Sequence, residues 1–276
     1  MNSIRFPDGT QVPALGQGTW MMAEQPAQRA DELAALRVGV ELGLTLIDTA
    51  EMYADGESER LVGEALRGIR EQVFLVSKAY PQNASHQRLP QACEASLKRL
   101  GTDRLDLYLL HWRGRVPLAE TVEAMEKLVA AGKILRWGVS NLDTPDLQEL
   151  VNAGGTACAT DQVLYNLTRR GPEYDLLPWL AGRNIPVMAY SPIEQGRLLA
   201  NMRLREVAAD LSATPAQVAL AWVLRQGQIM AIPKAGTVAH VQENRAAAEL
   251  HLSASDLAAL EVAFPRPSKR LPLEML

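Results

Sequence analysis

Leu44-Thr45-Leu46-Ile47-Asp48-Thr49-Ala50-Glu51-Met52-Tyr53 reads as a short apolar strand that stops at a carboxylate, with a phenol on the loop beyond it. A strand with almost no polar residue is one covered on both faces, as in a parallel sheet flanked by helices. The pattern recurs on either side. Short apolar runs lie at 14–17, 73–78, 105–111, 134–140, 159–163, 186–190 and 229–233. Helix-length segments separate them. Leu33, Leu36, Val40 and Leu44 fall at helical spacing, as do Leu61, Ala65 and Leu66, and Val122, Met125, Leu128 and Val129. Thr214-Pro215-Ala216-Gln217 starts a helix with a capping hydroxyl followed by proline. Ser253-Ala254-Ser255-Asp256 opens a last helix, which Pro265 and Pro267 end. Strands alternating with helices predict an α/β parallel sheet, and eight such units favour closure into a (β/α)8 TIM barrel, usually about 250 residues long. Ahead of it, Ile4-Arg5-Phe6, a Pro7-Asp8-Gly9-Thr10 turn and Gln11-Val12 predict a β-hairpin that plugs the barrel bottom. No linker or repeat interrupts the chain, so residues 1–276 are expected to form a single barrel domain with one extra C-terminal helix.

Composition narrows the partners. The chain has 28 Lys and Arg against 32 Asp and Glu, with no basic stripe to bind a nucleic acid. No apolar run is long enough to span a bilayer, and the first residues carry no secretory pattern, so a cytoplasmic protein with no membrane partner is expected; a monomer is the default expectation, since no exposed apolar stripe is legible in the sequence. Two cysteines, Cys93 and Cys158, do not make a disulfide framework. His86, His111, His240 and His251 show no pair at metal-ligand spacing, so no metal is expected.

Active sites of parallel barrels lie at the C-terminal ends of the strands. The run 45–48 ends at Asp48, 73–78 at Lys78 and 105–111 at His111, with Tyr53 close behind Asp48. Singly, each has an ordinary use: helix cap, solvated cation, structural imidazole, packing tyrosine. Together they bring a carboxylate, an ammonium, an imidazole and a phenol to one mouth. An ammonium beside a phenol favours the phenolate, the carboxylate keeps the ammonium charged and oriented, and a neutral imidazole can direct a carbonyl oxygen. This is an acid catalyst for a carbonyl that acquires negative charge, and it lacks a hydride source of its own, so reduction requires a cofactor. Lys78 could instead form an imine in a barrel aldolase, but Asp48 should keep it protonated and unreactive.

Three longer motifs carry a family resemblance. Leu44 to Tyr53 with Gly63, then Ala95-Ser96-Leu97-Lys98-Arg99-Leu100-Gly101 leading to Asp106-Leu107-Tyr108-Leu109-Leu110-His111-Trp112, then Ile232-Pro233-Lys234-Ala235 running to Glu243-Asn244, resemble the signatures of the aldo-keto reductases over nearly the whole chain. The likeness is greatest to small bacterial members that reduce methylglyoxal and other aldehydes. The resemblance implies an NADPH-dependent carbonyl reductase with Tyr53 as general acid, Lys78 and Asp48 tuning it, and His111 orienting a small-molecule carbonyl substrate. It assigns Ser140, Asn141 and Gln162 to the nicotinamide carboxamide, Tyr190 to the nicotinamide ring, and Ser191, Ile193 and Gly196 to a loop across the pyrophosphate. It gives Lys234, Ala235, Gly236, Thr237 and His240 to the phosphates, and Glu243 and Asn244 to adenine. Gly18, Thr19 and Trp20 join the cofactor set, although Gly16-Gln17-Gly18 lacks the third glycine of a dinucleotide fingerprint. Trp20, Tyr80 and Trp112 are expected to wall the substrate pocket. Ala235 and His240 stand where many relatives carry Ser and Arg. A neutral His is a weaker phosphate ligand than Arg, so NADH use beside NADPH is an expectation too. Relatives that serve as cofactor-sensing proteins give a second reading, which retention of all four catalytic residue types opposes. The tail after Pro265 is short, so the barrel mouth is expected to be open.

Overall fold

A computed structural model describes all 276 residues. The chain opens with β1 (Ser3–Arg5) and β2 (Gln11–Pro13), paired antiparallel with Ile4 opposite Val12. The Asp8 carboxylate accepts from the Thr10 amide at 2.9 Å and so closes the turn. Eight parallel strands follow: β3 (Gln17–Gly18), β4 (Leu46–Asp48), β5 (Phe74–Ala79), β6 (Leu107–Leu110), β7 (Trp137–Ser140), β8 (Asp161–Leu164), β9 (Val187–Tyr190) and β10 (Ile229–Ala231). They pair in chain order.

The first and last strands complete the ring. The Ala231 amide donates to Ala14 O, the Gly16 amide to Ala231 O, each at 2.8 Å, and the Gly18 amide to Pro233 O at 3.0 Å. At Gly18 a Cβ would lie 2.5 Å from Ile232 O, so only glycine lets the two ends meet. This also explains why the apolar run 14–17 yields a regular ladder only at Gln17–Gly18: the residues before it make the closing contacts instead.

Helices α1 (Arg29–Glu41), α2 (Glu57–Ala65), α3 (Arg88–Leu100), α4 (Leu118–Ala130), α5 (Thr144–Asn152), α6 (Leu176–Ala181), α7 (Met202–Asp210), α8 (Pro215–Leu224) and α9 (Val238–Ala247) surround the barrel; α7 and α8 both lie between β9 and β10, so one of that pair is extra in addition to the expected C-terminal helix, α10 (Ala254–Ala263). Thr214 and Ser253 cap α8 and α10 with full capping boxes. No single helix is long and apolar enough to cross a membrane.

Strand periodicity places the chemistry. Successive side chains point to opposite faces, so each strand sends one column inward. Leu46, Val76, Leu107, Leu109, Met188 and Met230 fill the barrel interior, while Ile47, Leu75, Tyr108, Leu110 and Ala189 join the larger core under the helices. Ile4, Phe6 and Val12 of the hairpin pack into the same interior cluster, and Phe6 stacks on Phe74 at 5.3 Å. Phe74, Leu46 and Leu107 are the first residues of their strands, so the hairpin seals the N-terminal end as expected. Following the inward columns upward, Leu46 gives way to Asp48, and Phe74 and Val76 to Lys78. The barrel is apolar from the plug to its waist and polar only at the other mouth.

Asp161 breaks this division. It begins β8 on the outward face, is fully buried, and neither carboxyl oxygen makes a well-formed hydrogen bond; the Leu142 amide is the one donor facing it. Burial, followed by the charges of Asp146 and Asp143, holds its carboxyl well above the usual carboxylate range despite that amide. The folded chain therefore keeps a proton that the unfolded chain releases as pH rises past about 4. Stability from this group is greatest at low pH and falls by roughly 1.4 kcal/mol per pH unit above that point, until the folded carboxyl itself ionises. Urea denaturation of Asp161→Asn at pH 5 and pH 8 should show the variant gaining on the parent as pH rises; parallel curves would mean that Asp161 is ionised in the fold.

Candidate active site

Strand geometry delivers three of the four expected side chains directly. Asp48 ends β4, Lys78 lies one residue before the end of β5, and His111 follows β6. Tyr53 lies on the turn between β4 and α2. After it, Ala54 (φ 48°), Asp55 (φ 52°) and Gly56 (φ 86°) are all left-handed, a compact reversal that turns the phenol back over the strand ends.

Lys78 is the centre of the constellation. Its side chain is 0 % exposed, and Nζ donates to Asp48 Oδ2 at 2.7 Å, Thr49 O at 2.8 Å and Tyr53 Oη at 3.0 Å. Three donors meet three acceptors, which is the hydrogen-bond complement of an ammonium. Asp48 Oδ1 accepts from Gln162 Nε2 at 2.8 Å, so the carboxylate is held from both sides. Burial pulls Lys78 down and pushes Asp48 up, and their mutual attraction opposes both shifts. With every donor engaged, the pair stays ionised.

The phenol behaves differently from the sequence expectation. Lys78 was expected to pull it below its ordinary range. Burial first, and the Asp48 charge second, instead push it well above. Asp48 lies against the same ammonium and largely cancels its charge, leaving desolvation dominant. Tyr53 is thus a firmly protonated acid. Burial and the Lys78 charge push the His111 imidazole down to about 2, so it is neutral. Its Nδ1 is buried with no partner. The His111 and Tyr53 rings meet edge to face at 5.8 Å.

A cavity of about 650 Å³ opens above these groups, within the range of small-molecule and cofactor sites. Asp48, Tyr53, His111, Trp20 and Trp112 line one part. Ser140, Asn141, Gln162 and Tyr190 continue it, followed by Ser191, Ile193 and Gly196, and then by Gly18, Lys234, Gly236, His240, Glu243 and Asn244. The middle group is cross-linked: Tyr190 Oη donates to Asn141 Oδ1 at 2.9 Å, and Asn141 Nδ2 donates to Ser140 Oγ at 3.0 Å and His111 O at 3.1 Å. No cluster of three His, Cys, Asp or Glu side chains is placed to hold a metal ion.

Five expected site residues do not line the cavity. Lys78 lies beneath its floor. Thr19 is buried, with its hydroxyl donating to Asp48 O at 3.0 Å. Thr237 caps α9 through the His240 amide, and Ala235 faces the core. Tyr80 is not a pocket wall: its ring packs edge-on against Trp112 at 5.9 Å and backs that indole instead. Other residues join without having been foreseen, among them Met21, Met52, Pro192, Gln195, Leu199, Ala216, Ile232, Pro233, Met275 and Leu276. Met275 and Leu276, both about half exposed, add the end of the short tail to the rim of the mouth. The tail is tied down beside it by an Arg169–Glu274 ion pair and by Arg270, which reaches Asp143 at 3.2 Å and Asp175 at 3.1 Å. Nothing in the tail's own sequence marks this path, because the anchoring residues lie on distant loops. Ile232 and Pro233 adjoin Lys234 and were within reach of the third motif.

The model of the aldo/keto reductase family matches residues 14–263. The chain belongs to the aldo/keto reductase family. It is 58 % identical over 279 aligned residues to methylglyoxal reductase YeaE of Escherichia coli, covering 99 % of this chain and 98 % of that one. Glyoxal reductase of Bacillus subtilis is 31 % identical, with 93 % and 90 % covered. An aldo/keto reductase from Klebsiella pneumoniae, solved in complex with NADP and acetate, superposes on this reductase with a TM-score of 0.98 at 54 % identity, covering 100 % of this chain and 99 % of the other. The same figures hold for an aldo-keto reductase of that organism in complex with NADPH.

Proposed function

We propose that this aldo/keto reductase reduces small aldehydes and 2-oxoaldehydes of the methylglyoxal kind to alcohols with NADPH, and that Tyr53 donates the proton. The observation that carries the proposal is the buried Lys78 ammonium 3.0 Å from a protonated phenol that borders a cavity. The likeness to enzymes named for methylglyoxal and glyoxal supports the substrate class, and NADP(H) in the two similar structures supports the cofactor.

The residues of this cavity fit a nicotinamide dinucleotide. Asn141, Ser140 and Gln162 line the cavity with amide and hydroxyl groups of the kind a carboxamide pairs with, although their donors are engaged with one another, His111, Asp48 and Met188 here, so binding would exchange some of those bonds, and Tyr190 offers an aromatic face beside them. Lys234 and the N-terminus of α9 suit a phosphate, with Gly236 leaving room for it. The cofactor, when bound, supplies the hydride. The chain's own residues handle the carbonyl oxygen. The neutral His111 imidazole can hydrogen-bond it and fix its direction, and Tyr53 donates to it as charge develops. The phenolate left behind is stabilised by the Lys78 ammonium already in contact with it, and Asp48 holds that ammonium in place. Lys78 has no lone pair to offer and does not reach the cavity, so imine chemistry is closed to it. The proposed setting is the cytoplasm, where reduced nicotinamide is available.

Purified protein with methylglyoxal should oxidise NADPH, followed at 340 nm. Tyr53→Phe should lose roughly 10²-fold or more in kcat, the scale of an absent general acid, while still binding NADPH by fluorescence; full turnover would remove Tyr53 from the chemistry. His240→Arg should raise the ratio of NADPH to NADH affinity by adding a charged fork at the cavity edge. An unchanged ratio would mean that position 240 does not meet the 2′-phosphate.

A further inference from the structure

Tyr53 and Lys78 stand on different elements, a strained turn and a strand, and something must set the 3.0 Å between them. Glu59, in the first turn of α2, is fully buried and takes no part in the chemistry above. Its Oε1 accepts from Ser77 Oγ at 2.6 Å, and Ser77 immediately precedes Lys78 on the outward face of β5. Its Oε2 accepts from Arg99 Nε at 2.5 Å, and Arg99 also donates to Ser96 Oγ on α3 at 3.1 Å. The Arg99 side chain runs across Gly56, the last left-handed residue of the turn behind Tyr53. A Cβ on Gly56 would lie 2.6 Å from Arg99 Cδ and 2.7 Å from Nε. One carboxylate thus grips the strand that carries the ammonium and, through Arg99, the turn that carries the phenol.

We infer that Glu59 is a positioning residue for proton donation, clamping the Tyr53 turn against β5 through Arg99 and Ser77. A buried carboxylate is costly unless fully partnered, and this one spends its bonds on the two elements whose relative placement the proton transfer needs. Ala54 and Asp55 hold left-handed backbones that non-glycine residues adopt only at a cost, so an external hold favours this form of the turn. The neighbouring Ser58 strengthens the grip: its hydroxyl donates to Thr19 Oγ1 at 2.9 Å and lies 3.3 Å from that of Thr49, whose carbonyl accepts from Lys78.

This inference rests on the reductase reading, and its test separates the two. The parent enzyme, Tyr53→Phe, Glu59→Gln, Ser77→Ala, Arg99→Met and Arg99→Lys are assayed with methylglyoxal and NADPH, and NADPH affinity is measured by fluorescence quenching. Glu59→Gln should lower kcat roughly tenfold or more, the scale of a small misplacement of reacting groups, with KM and NADPH affinity held. Ser77→Ala, the milder change, should lower kcat in the same selective way. Arg99→Lys should recover most of what Arg99→Met loses. An inactive parent enzyme overturns the reductase reading and this inference with it. An active parent whose Glu59→Gln and Ser77→Ala variants keep full kcat, or lose kcat and NADPH affinity in equal measure, overturns this inference alone.

Discussion

A buried ammonium must find an acceptor for each of its protons, and the mouth of this barrel is organised around that requirement at Lys78. Asp48, the Thr49 carbonyl and the Tyr53 hydroxyl are its three acceptors. Each lies on or just after β4, the strand adjacent to its own, so satisfying the cation fixes the carboxylate, the loop and the phenol at once. Gln162 extends the hold across the barrel to β8. The groups hold one another through a connected set of hydrogen bonds, the kind of preorganisation that can stabilise developing charge with little reorganisation.

The same constraint changes how the phenol works. A free cation beside it would make it a readier acid in the ground state. A cation already matched by Asp48 leaves it protonated, pushed up by burial. In the proposed reaction, Lys78 would matter most after the proton has left, when a phenolate would replace the neutral hydroxyl at 3.0 Å. That difference between ground and final states is what can accelerate a reaction.

Much of this was legible in the residues. Apolar runs ending in Asp48, Lys78 and His111 indicated both the barrel and its working end, because strand periodicity forces inward columns that are apolar below and polar above. The hairpin plug was legible in Ile4-Arg5-Phe6, the Pro7-Asp8-Gly9-Thr10 turn and Gln11-Val12 ahead of the first barrel strand. What remained hidden depends on contacts between residues far apart in sequence. Met275 and Leu276 reach the cavity because Arg169 and Arg270 find carboxylates across the tail. Tyr80 fell behind Trp112 because a residue following a strand can pack against its neighbour's ring as readily as face a ligand. Glu59 looked like any acidic residue in a first helical turn, and only the packing of α2 against β5 and α3 shows that it is buried. The direction of the Tyr53 shift could not be read either, since burial outweighs the nearest charge.

The most direct measurement is the turnover of Lys78→Met with NADPH and methylglyoxal, alongside NADPH binding and the urea midpoint of the variant. Methionine keeps the length and fills the space of the lysine stem without the charge, and Asp48, already pushed up by burial, can take up a proton in its place. The expected result is a folded protein that binds NADPH and loses roughly 10²–10³-fold in kcat, the scale of one missing charge-stabilising donor. A folded variant that turns over at the parent rate would contradict the role given to the Lys78–Tyr53 contact.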